Sequence, residues 1–163
     1  MKEYPRAINH IGLTVSDLDS AIAWYQDVLG YRLLLGPLDI LPDDTHFGHL
    51  AKDLLGDRLR RGRFAHLTTG NQVGLELFEF DDPEAGLSTG EMEYWKNGYF
   101  HVCVTDPNIM DLAEYIVAQG GKQRTKIWEI FPGSERYLVY MEDPWGNVIE
   151  IYSHSYELTW GNR

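Results

Sequence analysis

Two histidines and two glutamates stand at matched points of a sequence that says something twice. Around His10 the chain reads I-N-H-I-G-L-T-V, followed by S-D-L-D-S-A-I-A-W-Y-Q-D-V-L-G. Around His101 it reads Y-F-H-V-C-V-T, followed by D-P-N-I-M-D-L-A-E-Y-I-V-A-Q-G-G. With His10 set on His101, Gly30 falls on Gly121 without a gap. Each copy later sets a carboxylate in an apolar run: Glu76 in G-L-E-L-F-E-F and Glu150 in N-V-I-E-I-Y. Neutral imidazole nitrogens and anionic carboxylate oxygens suit a divalent Zn, Ni, Co, Mn or Fe ion, with positions left for water.

Side chains alternate along a strand, so His10 shares its face with Gly12 and Thr14, Glu76 with Gly74 and Phe78, and Glu150 with Val148 and Tyr152. An unpaired carboxylate on such a strand costs several kcal/mol unless it is neutralised, and a metal removes that cost. Taken singly, a strand histidine is more often a core or surface residue, and a strand glutamate can simply face solvent. Two of each at equivalent strands of a repeat are hard to obtain from core packing alone. His10, Glu76, His101 and Glu150 are therefore the candidate metal ligands, with Glu150 and Glu76 the candidate catalytic groups.

Other candidates are weaker. His46 and His49 form H-x-x-H beside a helical face and make a poor site by themselves. His66, in F-A-H-L-T-T, has no partner legible in the sequence, and His154 opens the tail, where exposure is expected. Cys103 shares the face of His101, where packing outranks a nucleophilic role. Trp95, Trp128, Tyr137 and Trp145 are expected in core or turn packing rather than in a binding wall. Arg58, Arg60, Arg61 and Arg63 read as a solvated turn; the sharper alternative is a rim for an acidic small molecule.

These side chains need elements to hold them. Residues 7–15 alternate as a strand. Ser16 is placed to cap a helix with the stripe Leu18, Ala21, Ile22, Tyr25 and Leu29, and Gly30 to end it. A strand over 31–36 follows. In the second copy a strand covers 99–105, Asp106 is the expected cap, Pro107 occupies the first helical position, and Ile109, Leu112, Ala113 and Ile116 form the buried stripe. Strands are expected at 122–130 and 136–142. D-P-W-G-N then turns the chain into a last strand at 148–153. The first copy is longer, and the excess lies in 37–63. There Phe47, Leu50, Ala51 and Leu54 predict a short helix between Thr45 and Gly56, inserted beside the site. The domain reading is a first module over 1–80 carrying the 37–63 insertion, a linker over 81–98, a second module over 99–153 and a surface-packed tail over 154–163.

The chain has 163 residues, 44% of them hydrophobic, which is enough for a core, and a formal charge of −11. That charge argues against a nucleic-acid partner, which needs a basic face. One cysteine permits no intrachain disulfide and fits a reducing compartment. No run approaches the length of a membrane span and the N-terminus shows no apolar signal core, so a cytoplasmic location without a membrane partner is expected.

The chain resembles the vicinal oxygen chelate superfamily, the glyoxalase–bleomycin resistance protein–dioxygenase group, from about Ile8 to Tyr152. N-H-I-G-L-T-V-S-D-L, W-Y-Q-D-V-L-G and D-P-W-G-N-V-I-E-I carry the resemblance. It implies an α+β fold of paired βαβββ modules, whose curved mixed sheets enclose a metal cleft. It also implies His10, Glu76, His101 and Glu150 as ligands, with Ni, Co, Zn or Mn ahead of Fe. A glutamate at both carboxylate positions looks most like glyoxalase I. The implied activity is a metal-dependent lyase or isomerase acting on a small substrate with vicinal oxygens, such as a 2-oxoaldehyde–thiol hemithioacetal, by proton transfer through a metal-stabilised enediolate. The alternatives are a CoA-thioester epimerase, an Fe(II) extradiol-type dioxygenase and a non-catalytic drug- or metabolite-binding protein. A homodimer is expected, with the site formed within one chain or shared by two.

Overall fold

The computed structural model describes residues 5–86 and 92–161. The chain divides into two compact units, Met1–Gly86 and Leu87–Arg163. Unit 1 contains β1 (His10–Thr14), α1 (Leu18–Leu29), β2 (Arg32–Ile40), α2 (His46–Leu55), β3 (Arg61–Thr68) and β4 (Gly74–Asp82). Unit 2 contains β5 (Val102–Thr105), α3 (Ile109–Ala118), β6 (Lys122–Gln123), β7 (Trp128–Glu129), β8 (Tyr137–Glu142), β9 (Val148–Tyr152) and α4 (Tyr156–Trp160). The fold is α+β. Each unit runs strand, helix, then antiparallel strands, and its first strand pairs in parallel with its last: β1 with β4, and β5 with β9.

The strand order is β1-β4-β3-β2 in unit 1 and β5-β9-β8-β6 in unit 2, with β7 also paired to β8. The parallel pairing follows from the helix between the first two strands, which carries the chain back across the sheet. Leu18, Ala21, Ile22, Tyr25 and Val28 of α1 are buried with Leu67, Leu75 and Leu77 of the sheet. In unit 2, Ile109, Ala113 and Ile116 of α3 are buried, as are Val139, Met141, Ile149 and Ile151. In each sheet one face is thereby committed to the helix.

Several boundaries differ from the expected ones. The cap of α1 is Asp17 rather than Ser16: its carboxylate accepts from Ser20 N at 3.0 Å and from Ser20 Oγ at 2.7 Å. A charged acceptor also complements the helix N-terminus better than a hydroxyl does. In α3 the cap position is Asn108, not Asp106. Asp106 instead accepts from Asn108 N at 2.7 Å, so that Asp106-Pro107 forms a turn ahead of the helix.

The strand expected over 31–36 continues through Pro37 to Ile40, and β3 starts at Arg61, so the insertion is shorter at both ends than 37–63. Thr45 and Gly56 do bound α2. Of its expected apolar face only Ala51 is buried; Phe47 stacks on Phe64 with centroids 5.5 Å apart, while Leu50 and Leu54 are exposed. The strand expected over 122–130 breaks into β6 and β7, because Arg124 N and Thr125 N both donate to Tyr140 O at 2.8 and 3.4 Å and interrupt the ladder. The tail includes the short helix α4, whose Thr159 is fully buried and whose Trp160 packs edge-on against Phe131.

The D-P-W-G-N turn is tightly built. Asp143 is buried; its Oδ1 accepts from Trp145 N at 3.0 Å and Asn147 N at 2.8 Å, and its Oδ2 from Asn147 Nδ2 at 2.8 Å. This turn launches β9 and so sets the position of Glu150.

Candidate metal centre

In unit 1 the β1–β4 register puts His10 opposite Gly74, Gly12 opposite Glu76 and Thr14 opposite Phe78. All six share one face, opposite to the one carrying buried Leu75 and Leu77. His10 Nε2 is 3.5 Å from Glu76 Oε2. The strands approach closely here because residue 74 is glycine: a Cβ there would come within 2.9 Å of His10 Cβ. His10 Nδ1 meets Asn9 Oδ1 at 2.8 Å, which orients the ring.

Unit 2 repeats the arrangement. His101 immediately precedes β5, and β5–β9 pairing sets Cys103 opposite Glu150, the counterpart of Gly12 opposite Glu76. His101 Nε2 is 3.2 Å from Glu150 Oε2. His101 Nδ1 is buried without a hydrogen-bond partner. Burial pushes the Glu150 carboxyl above its ordinary range, and the His101 charge and the Cys103 thiol oppose this only in part. Tyr140, opposite Glu150 on β8, has its ring 5.4 Å from that of His101. Its phenol is raised by burial and then by the Glu150 charge. Cys103 is exposed, yet crowding by protein, then the Glu150 charge, push its thiol up to about 12. It stays protonated at neutral pH and is not a thiolate nucleophile.

The expected ligands thus stand as two pairs, one per unit. Among the described residues no group of three or more His, Cys, Asp or Glu side chains is arranged to hold a metal ion. The chemistry of the donor set nevertheless fits a divalent cation. Each pair offers one nitrogen and one oxygen on a partly open sheet face. A desolvated carboxylate such as Glu150 is costly without a ligand; the partnerless nitrogen of His101 is Nδ1, not the Nε2 beside that carboxylate.

One residue here was missed in the sequence. His66, which had no legible partner, lies opposite Glu76 in the β3–β4 register, with Nδ1 3.3 Å from Glu76 Oε1. The signal was its position ten residues before Glu76, the same interval as Tyr140 to Glu150. His154, expected to be exposed, is half-buried and bonded through Nδ1 to Ser153 Oγ at 2.8 Å. His46 and His49 are exposed on α2 and take no part. Trp95 and Trp128, expected in packing, are exposed, the latter under the Lys126 ammonium. Of the arginine cluster, Arg61 pairs with Asp81 and Arg63 with Asp19 and Glu79, while Arg60 donates to the carbonyls of Asp57 and Leu59.

A family model described as the glyoxalase/bleomycin resistance protein/dioxygenase superfamily matches residues 7–151. The chain belongs to this superfamily. It is 28% identical over 148 residues to a 2-epi-5-epi-valiolone epimerase from an Actinomyces species, covering 89% of this chain and 78% of the relative. Among solved structures, a glyoxalase family protein from Bacillus cereus aligns with a TM-score of 0.73 at 18% identity, covering 93% of this chain and 97% of that one. A mutant fosfomycin resistance protein from Listeria monocytogenes, complexed with Mn(II) and a dihydroxypropylphosphonic acid, aligns with a TM-score of 0.59 at 16% identity over 98% of this chain and 100% of that one. These structural likenesses carry the superfamily fold. Among the described residues no helix is long and apolar enough to cross a membrane.

Proposed function

We propose that this superfamily member is a metal-dependent isomerase or lyase that moves a proton on a carbon of a small substrate bearing vicinal oxygens. In this reading His10, Glu76, His101 and Glu150 are ligands to a divalent cation, Mn, Ni, Co or Zn. When bound, the cation supplies Lewis-acid stabilisation of the negative charge that develops on substrate oxygen.

The observation that carries the reading is Glu150: a carboxylate on a buried strand, raised above its ordinary range, with His101 Nε2 at 3.2 Å. Desolvation raises the affinity of a carboxylate for a proton, as a general base requires. Glu150 accepts the C–H proton. Glu76 delivers or accepts a proton on the opposite face when the outcome is inversion.

Epimerisation is the favoured outcome, because the curated relative matched over 89% of this chain is an epimerase. Glyoxalase I-type isomerisation of a hemithioacetal is the second reading, favoured by a glutamate at both carboxylate positions. A CoA substrate is disfavoured, because Arg61 and Arg63 already pair with carboxylates and Lys122 lies 3.9 Å from Glu142. The protein acts as a homodimer in the cytoplasm.

The test is solvent exchange. The Mn(II)-loaded protein in D₂O is offered 2-epi-5-epi-valiolone and, separately, the methylglyoxal–glutathione hemithioacetal, and deuterium incorporation at carbon is followed by NMR. Incorporation by wild type and its loss in Glu150→Gln is the expected result. Exchange undiminished by Glu150→Gln, or no exchange with either compound, rejects the assignment.

A further inference from the structure

The two carboxylates occupy equivalent positions, but their cross-strand neighbours differ. Opposite Glu76 stands His66, and opposite Glu150 stands Tyr140. Directly opposed residues on one face bring their side chains within reach of each other. His66 uses that reach: its Nδ1 is 3.3 Å from Glu76 Oε1, while the other oxygen, Oε2, is 3.5 Å from His10 Nε2. Each oxygen of Glu76 therefore has one imidazole nitrogen beside it. The His66 ring is itself set by Phe64, two residues earlier on the same strand, whose buried ring meets it edge-on at 5.1 Å. Among the described residues His66 makes no other ion pair, so Glu76 is the one carboxylate its Nδ1 lies against.

We propose that His66 is a positioning residue for Glu76: it holds Oε1 and leaves Oε2, the oxygen on the His10 side, to meet the cation. The inference rests on the metal reading above. Ligating carboxylates whose second oxygen is fixed lose less freedom on coordination, and removing such an outer partner costs about 10- to 100-fold in metal affinity. The contact is attractive with the proton on Nδ1, which makes His66 a donor to Glu76 and not a ligand. Unit 2 has no imidazole at this position. The duplicated halves have thus diverged at this register site.

Binding of Mn(II), followed by the EPR signal of the free ion, tests this with wild type, His66→Leu, His66→Asn, His10→Ala and Glu150→Gln. The Asn side-chain nitrogen lies where Nδ1 does and donates without coordinating. His66→Leu is expected to weaken Mn(II) binding by about 10- to 100-fold, and His66→Asn to restore it to within a few-fold. Residue 66 is about one-third exposed, so both variants should fold, and their metal-free thermal melts verify it. Unchanged affinity in His66→Leu overturns the proposal, as does a His66→Asn as weak as His66→Leu, which would make the imidazole a direct ligand. If binding depends on His10 and Glu150 but is indifferent to His66, this inference alone falls. If binding survives both His10→Ala and Glu150→Gln, the metal reading falls and takes this inference with it.

Discussion

Gly74 lies directly across the β1–β4 ladder from His10, and a Cβ built at 74 would stand only 2.9 Å from His10 Cβ. Adding one methyl group at 74 must push the histidine aside. Gly74→Ala is expected to weaken Mn(II) binding roughly tenfold, as loss of ligand orientation does elsewhere. Gly12→Ala is the control on the same face, since its Cβ would meet only Phe78 Cε2 at an ordinary 3.5 Å. Equal effects of the two substitutions in a metal titration would contradict the packing argument.

The raised carboxyl of Glu150 makes the metal-free protein pH-sensitive in a defined direction. A group that binds its proton more tightly when folded penalises the native state once it ionises, and the penalty grows as pH rises from the ordinary carboxylate range through the raised value. Glu150→Gln removes an ionisation that burial opposes. In metal-free thermal melts the variant is expected to match wild type in acid and to be the more stable of the two at neutral pH. A wild type that gains on the variant as pH rises would reverse the sign and refute the desolvation argument.

Asp143 organises the turn that launches the Glu150 strand. Asp143→Ala leaves the Trp145 and Asn147 amides without their buried acceptor. The expected loss is about 3 kcal/mol, from hydrogen bonds to a charged group worth about 1.5–3 kcal/mol each and partly replaced by water. For a chain of this size that lowers Tm by roughly 6–12 °C in calorimetry. A shift under a couple of degrees would show that the turn holds without its carboxylate.

Arg63 bridges Asp19 on α1 and Glu79 on β4 at 2.9 and 2.7 Å, and Glu79 in turn accepts from Leu18 N at 2.7 Å. The arginine fastens the helix start to the sheet. Arg63→Ala is expected to cost about 1 kcal/mol, the upper part of the range for a partly exposed pair, and to leave substrate saturation unchanged. A large rise in KM with unaltered stability would return this cluster to the role of an anion-binding rim.

The repeat, the equivalent placement of His10, Glu76, His101 and Glu150 within it and the βαβββ order were readable along the chain. They depend on local periodicity and on residue type: a period of two for strands, 3.6 for helices, and glycine where a helix stops. The cap positions missed by one or two residues because Ser16, Asp17, Asp106 and Asn108 are all competent capping types, and only the backbone path selects among them. The α2 face misled because an apolar stripe shows what could be buried, not what covers it.

What the tertiary structure decided was partnership. The pairing of His66 with Glu76 and of Tyr140 with Glu150 depends on the register between neighbouring strands, and register is set by hydrogen bonding and packing across the sheet rather than by either strand alone. The same holds for the space at Gly74 and for the arginines taken up by Asp19, Glu79 and Asp81. Chemistry-bearing residues could be named from one dimension, because type and period are properties of a segment. Which oxygen meets which nitrogen is a property of two segments side by side.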